Sequence, residues 1–238
     1  MSRCDEGAAG RLFVVATPIG NLGDMTHRAV DVLKAVSVIA TEDTRHTRKL
    51  LTHFGIATPV FAYHEHNEEK AAAGILARLK RGEDVALVSD AGTPLVADPG
   101  YRIVSLCVRE GVEVVAVPGP TAVAAALSIS GLPPMPFLFA GFLPRKPGAR
   151  RRRLEELAAL RCTLVFYETP HRIAASLADM RDVLGDRQTA VARELTKIHE
   201  EVVRGTLSEL AERAGDDGWR GEMVVLVSGA DGPGSLAS

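Results

Sequence analysis

The chain has 238 residues, of which 46% are hydrophobic, 24% charged and 5% aromatic. That composition excludes disordered and collagen-like polymers, and the length suits one large domain or two of modest size, each able to bury a core. A formal net charge of −2 excludes a simple polycation, so any nucleic-acid contact has to come from a local patch.

After a polar tail, short apolar runs alternate with helical patterns. Residues 12–17 (LFVVAT) read as a strand, 26–35 as a helix and 37–41 (SVIAT) as a strand. Next come a helix over DTRHTRKLLTHFG, a strand over PVFAYH and a helix over NEEKAAAGILARLKRG. Residues 84–90 form the next strand, YRIVSLCVREG a helix, 112–117 a strand, and PTAVAAALSIS a helix of small residues. Such alternation predicts a mostly parallel sheet covered by helices on both faces. GLPPMP at 131–136 interrupts it, because prolines stop a helix and stiffen a connection. Beyond it come FLFAGF, a helix through RRRLEELAALR, TLVFYE, a helix over the 170s and early 180s, TAVARE, HEEVVRG, a helix from Ser208, and EMVVLVSG. The expected organisation is two α/β domains with mostly parallel sheets, spanning 11–132 and 136–230, with 1–10 and 231–238 as flexible tails.

Cys4, Cys107 and Cys162 give neither a disulfide framework nor metal-ligand spacing, and there is no CxxC or HExxH. The start, MSRCDEGAAG, lacks an apolar signal core, and no stretch approaches the roughly 20 apolar residues of a membrane span. A reduced, cytoplasmic protein without a membrane segment is expected.

Open parallel sheets bind ligands beyond the carboxyl ends of their strands, so the residues just past each strand are informative. In the first half these segments are Pro18 to Gly23, Glu42 to Arg45, His64 to Asn67, Asp90 to Gly100, and Pro118 to Ala122. In a parallel sheet all five converge on one crevice. In the second half, Pro144-Arg145-Lys146, Thr169 to Arg172 and Arg193 to Lys197 repeat the pattern. A cleft lined from both domains is the natural ligand site.

Each cluster also has a plain alternative. PIGNLG is not a GxGxxG fingerprint, and no P-loop pattern occurs. Gly92, Gly100 and Gly119 read equally as turn glycines. The density of SDAGTPLVADPG, with paired Asp, Gly and Pro between a strand and a helix, raises the functional reading. Asp43 or Thr44 reads as a helix cap. Arg45 and Arg48 then lie where the helix dipole disfavours cations, and either pair with Glu42 and Asp43 or meet an anionic substrate. His64 and His66 flank Glu65, but no third ligand is placed, so no metal is expected. His64 is a candidate substrate contact or general base. Residues 145–153 hold Arg145, Lys146 and the run Arg150, Arg151, Arg152 and Arg153. The alternatives are a solvated helix start or a phosphate-binding patch. Consecutive arginines near a helix N-terminus oppose the dipole and one another, and a phosphate backbone relieves both costs.

The stretches VATPIGNLGDMT, IATEDTRHTRKLL, YHEHNE, LVSDAGTPLVADPG, VPGPTA, FAGFLPRK, FYETPHR and ARELTKIHEE occur in the order found in the tetrapyrrole-methylase superfamily, which the chain resembles from residue 12 to about 228. TEDTRHTRKLL, FLPRK and FYETPHR make it similar to the branch that methylates ribosomal RNA. The resemblance implies an S-adenosyl-L-methionine-dependent methyltransferase, two α/β domains with the donor in the cleft between them, and a homodimer. It further implies 2′-O-methylation of a cytidine ribose in the decoding region of 16S rRNA, in the assembled small subunit. Carried over by motif, the donor site comprises Pro18, Gly20, Asp90, Ala91, Gly92, Leu95, Val96, Pro118, Thr121, Ala122, Tyr167, Ala192, Arg193 and Glu222. Many members of the branch continue past the last strand with a helical segment; this sequence ends at Ser238, so no substrate contact of such a segment is assigned.

Methyl transfer from a sulfonium to a hydroxyl needs alignment above all, with modest help from a base. The candidate bases are Asp43, His64 and Lys197, the last only with a depressed pKa. Arg45, Arg48, Arg145, Lys146, Arg150 to Arg153 and Arg172 are the candidate RNA contacts. Two rival readings stand beside this one: a precorrin or uroporphyrinogen methyltransferase of the same superfamily, and a non-catalytic RNA-binding ribosome-assembly factor.

Overall fold

The computed structural model describes residues 9–64, 67–217, 219–230 and 232, and these divide into two compact units between Thr121 and Ala122. Most of the two expected tails lies outside the described residues. Gly10, counted with the first tail, is instead held: its N–H donates to the Leu79 carbonyl at 2.7 Å, and a Cβ there would lie 2.2 Å from the Glu83 carbonyl oxygen.

The first unit runs β1 (Leu12–Val15), a 3-10 turn at Leu22–Asp24, α1 (His27–Ala35), β2 (Val38–Thr41), α2 (Thr44–His53), β3 (Val60–Ala62), α3 (Glu68–Lys80), β4 (Val85–Val88), α4 (Tyr101–Arg109) and β5 (Val114–Val117). Its sheet has the order β3-β2-β4-β1-β5, and every neighbouring pair is parallel. Strand side chains alternate between faces, so each strand feeds two cores. Leu12, Val38, Ala40, Val85 and Leu87 pack under Ile75 and Leu79 of α3 and Ile103 and Cys107 of α4. Phe13, Val15, Ile39, Ala86 and Val88 pack under Ala29 and Leu33 of α1 and Leu51 of α2. Thr26 caps α1 by accepting the Ala29 N–H at 3.1 Å, and Asp43 caps α2.

The second unit runs α5 (Ala122–Ser130), β6 (Phe137–Phe142), α6 (Pro147–Leu157), β7 (Thr163–Glu168), α7 (Ile173–Leu184), β8 (Gln188–Arg193), β9 (Glu201–Thr206), α8 (Leu207–Asp217) and β10 (Met223–Val227). The proline-rich segment marks the sequence boundary at 131–136, yet α5 packs on β8, β9 and β10 and belongs with the second unit. The reason lies in α5 itself. It is apolar nearly all round, with Val123, Ala126, Leu127 and Ser130 buried, and it lines the sheet face opposite α6, α7 and α8.

The second sheet, β6-β7-β10-β8-β9, is mixed: β6 and β7 pair in parallel, and the other three pairings are antiparallel. The sequence expectation of mostly parallel sheets therefore holds in full for the first unit and needs correction for the second. Two helical crossovers, β7-α7-β8 and β9-α8-β10, each join parallel strands and interleave, so that neighbours oppose. The link from β8 to β9 is too short for a helical crossover, which sets the reversal.

Candidate functional site

In the first unit the chain leaves β1 toward β2 over the α1 face and leaves β4 toward β5 over the α4 face. The crevice of such a sheet opens where neighbouring strands send their connections to opposite sides, here on both sides of β4, against β1 and against β2. Two loops meet there. Thr17 and Gly92 form an antiparallel bridge, with N–H to carbonyl distances of 2.8 and 3.0 Å. The Thr93 hydroxyl donates to the Pro120 carbonyl at 3.2 Å, which joins the loop after β5 to the same place. Pro18, Gly20, Asp90, Ala91, Gly92, Leu95, Val96, Pro118 and Thr121 all lie on these three loops.

Backbone conformation and close approach account for the glycines here. Gly92 has φ +78°, and a Cβ would sit 3.3 Å from Ile19 Cγ2; at Gly119 it would sit 2.9 Å from Ala16 Cβ. Leu95 and Ala97 hold left-handed backbone at φ +71° and +68°, a cost that persists where the surroundings over-determine a loop.

Asp90 Oδ1 accepts the Asp43 N–H at 3.1 Å, which ties the loop after β2 to this cluster. The Asp43 carboxylate accepts the N–H groups of Arg45 (2.7 Å) and His46 (3.4 Å), and these hold it below its ordinary pKa. Asp43 is thus a good cap and a weak base. Asp98 behaves oppositely. Burial, then the charge of Glu42, push its carboxyl up to about 6; the Ser89 hydroxyl opposes this and Asp90 adds to it. Sequence reasoning counted Asp98 in the dense loop without giving it a role; the signal was the second Asp of SDAGTPLVADPG. A carboxyl raised in this way is poised to titrate within about a unit of neutrality.

His64 lies just past β3, an edge strand. Its N–H donates to Asn67 Oδ1, whose Nδ2 donates to Ala62 O, both at 2.9 Å. Two strand spacings, about 10 Å, separate β3 from β4. His66 and Glu65 lie outside the described residues. A latch that sequence reasoning missed is Glu68. It accepts from the buried Tyr63 hydroxyl at 2.9 Å and pairs with Arg102 at 3.3 Å, joining the end of β3 to the start of α4.

In the second unit Tyr167, Val224 and Ala192 lie abreast on adjacent strands, with Glu168, Met223 and Arg193 in the next row. Glu222 stands just before β10, so four of the candidate donor contacts share one sheet edge. The Tyr167 ring meets Phe139 and Phe142 edge-on at 4.8 and 5.5 Å. Ala122 opens α5. Lys197 ion-pairs with Glu194 and Glu222, both at 2.9 Å. Burial disfavours its charge, but the two carboxylates outweigh burial and raise its pKa. The two carboxylates favour the charged form of Lys197, the opposite of the depressed pKa that a base requires.

The basic run divides sharply. Arg145 and Lys146 are exposed on the loop before α6. Arg150 is not an RNA contact: its side chain is 6% exposed and pairs with Asp179 at 2.5 Å. Arg151 bridges Asp179 and Asp182 at 2.6 and 2.9 Å, and Arg153 meets Glu156 at 2.7 Å. Carboxylates of α7 and α6, rather than phosphates, relieve the repulsion within the run. Pro147 at the first helical position also sets the arginines in the second turn and beyond. Arg152 remains exposed on this helix. Arg172 is likewise committed: it donates to the Leu143 carbonyl at 2.5 Å and pairs at 3.3 Å with the buried Glu168, which also accepts the Ser176 hydroxyl. Arg172 fixes the loop carrying Arg145 and Lys146. Arg45 and Arg48 are exposed on α2.

Among the described residues no group of three or more His, Cys, Asp or Glu could hold a metal, and no helix is long and apolar enough to cross a membrane.

Residues 11–211 match the family of tetrapyrrole (corrin/porphyrin) methylases. The chain is 55% identical over 221 residues to the ribosomal RNA small subunit methyltransferase I of Vibrio cholerae, covering 92% of this chain and 77% of that one. It is 54% identical to the protein of that name from Xylella fastidiosa, with 93% and 82% covered. For the one from Pseudomonas aeruginosa the identity is 52%, with 95% and 81% covered. Among solved structures, a cobalt precorrin-4 methyltransferase superposes with a TM-score of 0.69 at 21% identity, covering 92% of this chain and 95% of its own. A uroporphyrin-III C-methyltransferase from Thermus thermophilus, complexed with S-adenyl homocysteine, superposes at 0.65 and 22% identity, with 93% and 99% covered. The structural likenesses show the fold. With the sequence relatives, they lead to the conclusion that the chain is a methyltransferase of the tetrapyrrole methylase family, on the branch whose members are named ribosomal RNA small subunit methyltransferase I.

Proposed function

We propose that this protein transfers a methyl group from S-adenosyl-L-methionine to the 2′-oxygen of a cytidine ribose in the decoding region of 16S rRNA, within the assembled small subunit. The observation that carries the reading is the joining of three loops at the β1–β4 crevice, through Thr17, Gly92 and the Thr93–Pro120 bond, in a chain whose relatives bear the ribosomal RNA methyltransferase name. The residues suit the donor. Asp90, Asp98 and Glu42 make this edge negative, which favours a sulfonium and an ammonium group, and Leu95, Val96 and Ile19 supply apolar surface. We assign donor contacts to Pro18, Gly20, Asp90, Ala91, Gly92, Leu95, Val96, Pro118, Thr121 and Ala122, and to Tyr167, Ala192, Arg193 and Glu222 at the second edge.

The donor supplies an electrophilic methyl. The chain's task is to align the ribose hydroxyl with it and to keep the loops stiff, and alignment carries most of the rate. Of the candidate RNA contacts, Arg45, Arg48, Arg145, Lys146 and Arg152 are exposed, and this reading assigns them to phosphates. The same reading has the protein act as a homodimer in the cytoplasm.

The test is incubation of the protein with labelled S-adenosyl-L-methionine and small subunits lacking this methylation, then digestion and identification of the modified nucleoside. Label in 2′-O-methylated cytidine derivatives is the expected result. Donor binding without label in RNA would turn the reading toward a tetrapyrrole substrate. No donor binding would turn it toward an assembly factor.

A further inference from the structure

The segment between β8 and β9 combines features that the proposed chemistry does not use. Ile198 at its tip is 97% exposed, and His199 beside it is exposed as well. A bare apolar side chain on a loosely held loop would mean little, but this loop is stiffly built. Glu194 and Thr196 hold left-handed backbone at φ +50° and +67°, the latter a β-branched residue that rarely tolerates it. The Thr196 hydroxyl is buried without a hydrogen-bond partner among the described residues. Leu195 is buried and anchors the base of the loop. Lys197, immediately before the tip, is clamped between Glu194 and Glu222 at 2.9 Å each. Gly221 makes room for that clamp, since a Cβ there would lie 2.3 Å from the Glu194 carboxyl carbon. The Thr196 N–H donates to Glu200 at 2.5 Å, closing the far side.

The loop therefore sustains strain to hold one bare apolar side chain at a set position. That position adjoins the sheet edge of Tyr167, Ala192 and Glu222, because Glu194 and Glu222 exchange main-chain and side-chain hydrogen bonds at 3.0 and 3.1 Å. Two cations beside the tip are already paired within the protein: Lys197 as above, and Arg193 with Glu201 at 2.6 Å. A phosphate gains little from these two paired cations and meets the carboxylates that hold them. The face of a nucleobase is uncharged and stacks against apolar groups, and apolar side chains inserted between base steps unstack them.

We infer that Ile198 is a wedge that enters the base stack of the RNA substrate next to the nucleotide to be methylated, holding its ribose toward the donor edge. The inference rests on the proposed RNA substrate. His199 flanks the wedge and offers its ring as a second stacking surface.

The test compares wild type with Ile198→Ala and Ile198→Leu on small subunits lacking the modification. It measures methylation rate, donor affinity, thermal midpoint, sedimentation and chemical reactivity of bases around the target. Ile198→Ala should lower the methylation rate about tenfold or more, with donor affinity and thermal midpoint unchanged, since so exposed a side chain adds little to the fold. Ile198→Leu should restore most of the rate. Wild type, but not Ile198→Ala, should expose a base beside the target to chemical modification. Wild-type methylation by Ile198→Ala overturns the inference. So does a loss of rate with unaltered base reactivity, which would assign the tip to a ribosomal protein. So does a changed sedimentation coefficient, which would assign it to a second copy of the chain. If wild type itself places no label in the subunit, the proposed function fails first and this inference with it.

Discussion

Thr17 and Gly92 exchange two main-chain hydrogen bonds just beyond the carboxyl ends of β1 and β4, strands whose connections leave over opposite faces of the sheet. Two loops that would otherwise be independent are thereby one rigid floor. The Ser89 hydroxyl oxygen also sits there, 3.3 Å from the carbonyls of both Ala91 and Gly92.

Gly92→Ala attacks that floor directly. An L residue at φ +78° costs about 1 kcal/mol or more, and the added Cβ presses on Ile19 at 3.3 Å. Thermal unfolding should report a loss of that size, and calorimetric titration with S-adenosyl-L-methionine should show at least a tenfold weaker affinity. Undiminished affinity would remove Gly92 from the donor site.

The arginine run offers a clean separation. Arg150→Ala leaves Asp179 buried with only Arg151 to face it, and breaking a buried pair costs about 3 kcal/mol. The thermal midpoint should fall markedly. Arg145→Ala with Lys146→Ala should leave the midpoint unchanged, weaken subunit binding and reduce its salt dependence. If the double variant binds RNA like wild type, the phosphate contacts lie elsewhere.

Asp98 sets opposite pH trends for stability and for binding. Its pKa of about 6 exceeds the ordinary 3.8, so the folded state keeps a proton that the unfolded chain has lost. The stability it contributes is present below the unfolded pKa and is lost as pH rises from about 4 to above 6. Asp98→Asn should therefore stabilise the protein at pH 7.5, by about 1 kcal/mol once solvent screening of this half-buried group is counted. On the proposed donor site, deprotonation also adds a negative charge at the edge that takes the cationic donor. Donor affinity should rise between pH 5 and 7.5 in wild type and stay flat in Asp98→Asn. A wild-type profile without that rise would separate Asp98 from the donor.

Lys197→Arg distinguishes a base from a fixed cation. Arginine does not deprotonate, so a catalytic base would be abolished. A cation clamped by Glu194 and Glu222 should keep activity within about fivefold, because a part-exposed ion pair contributes at most ~1 kcal/mol. The pH–rate profile should keep its shape.

Apolar periodicity and the residues after each strand made most of the architecture legible. Every strand and helix expected from the pattern is present, and the loops of the first unit gather at one edge, because a parallel sheet places all strand ends together. The division between units was misplaced because proline marks a stiff connection, whereas the packing of α5 is decided by which sheet its Ala and Val side chains meet. The mixed order of the second sheet was hidden for a related reason: pattern fixes the faces of a strand but not which strand lies beside it.

By itself, then, the sequence determined the alternation of elements, the loops that line the crevice and the family they belong to, since these arise from local periodicity and motif. Tertiary structure alone decided the state of the ionisable groups. Asp98 becomes a weak acid through burial beside Glu42, while Lys197 and Arg150 are paired with carboxylates 25 and 29 residues away in the chain. Charge depends on what folding brings within a few ångströms, and no linear spacing records that.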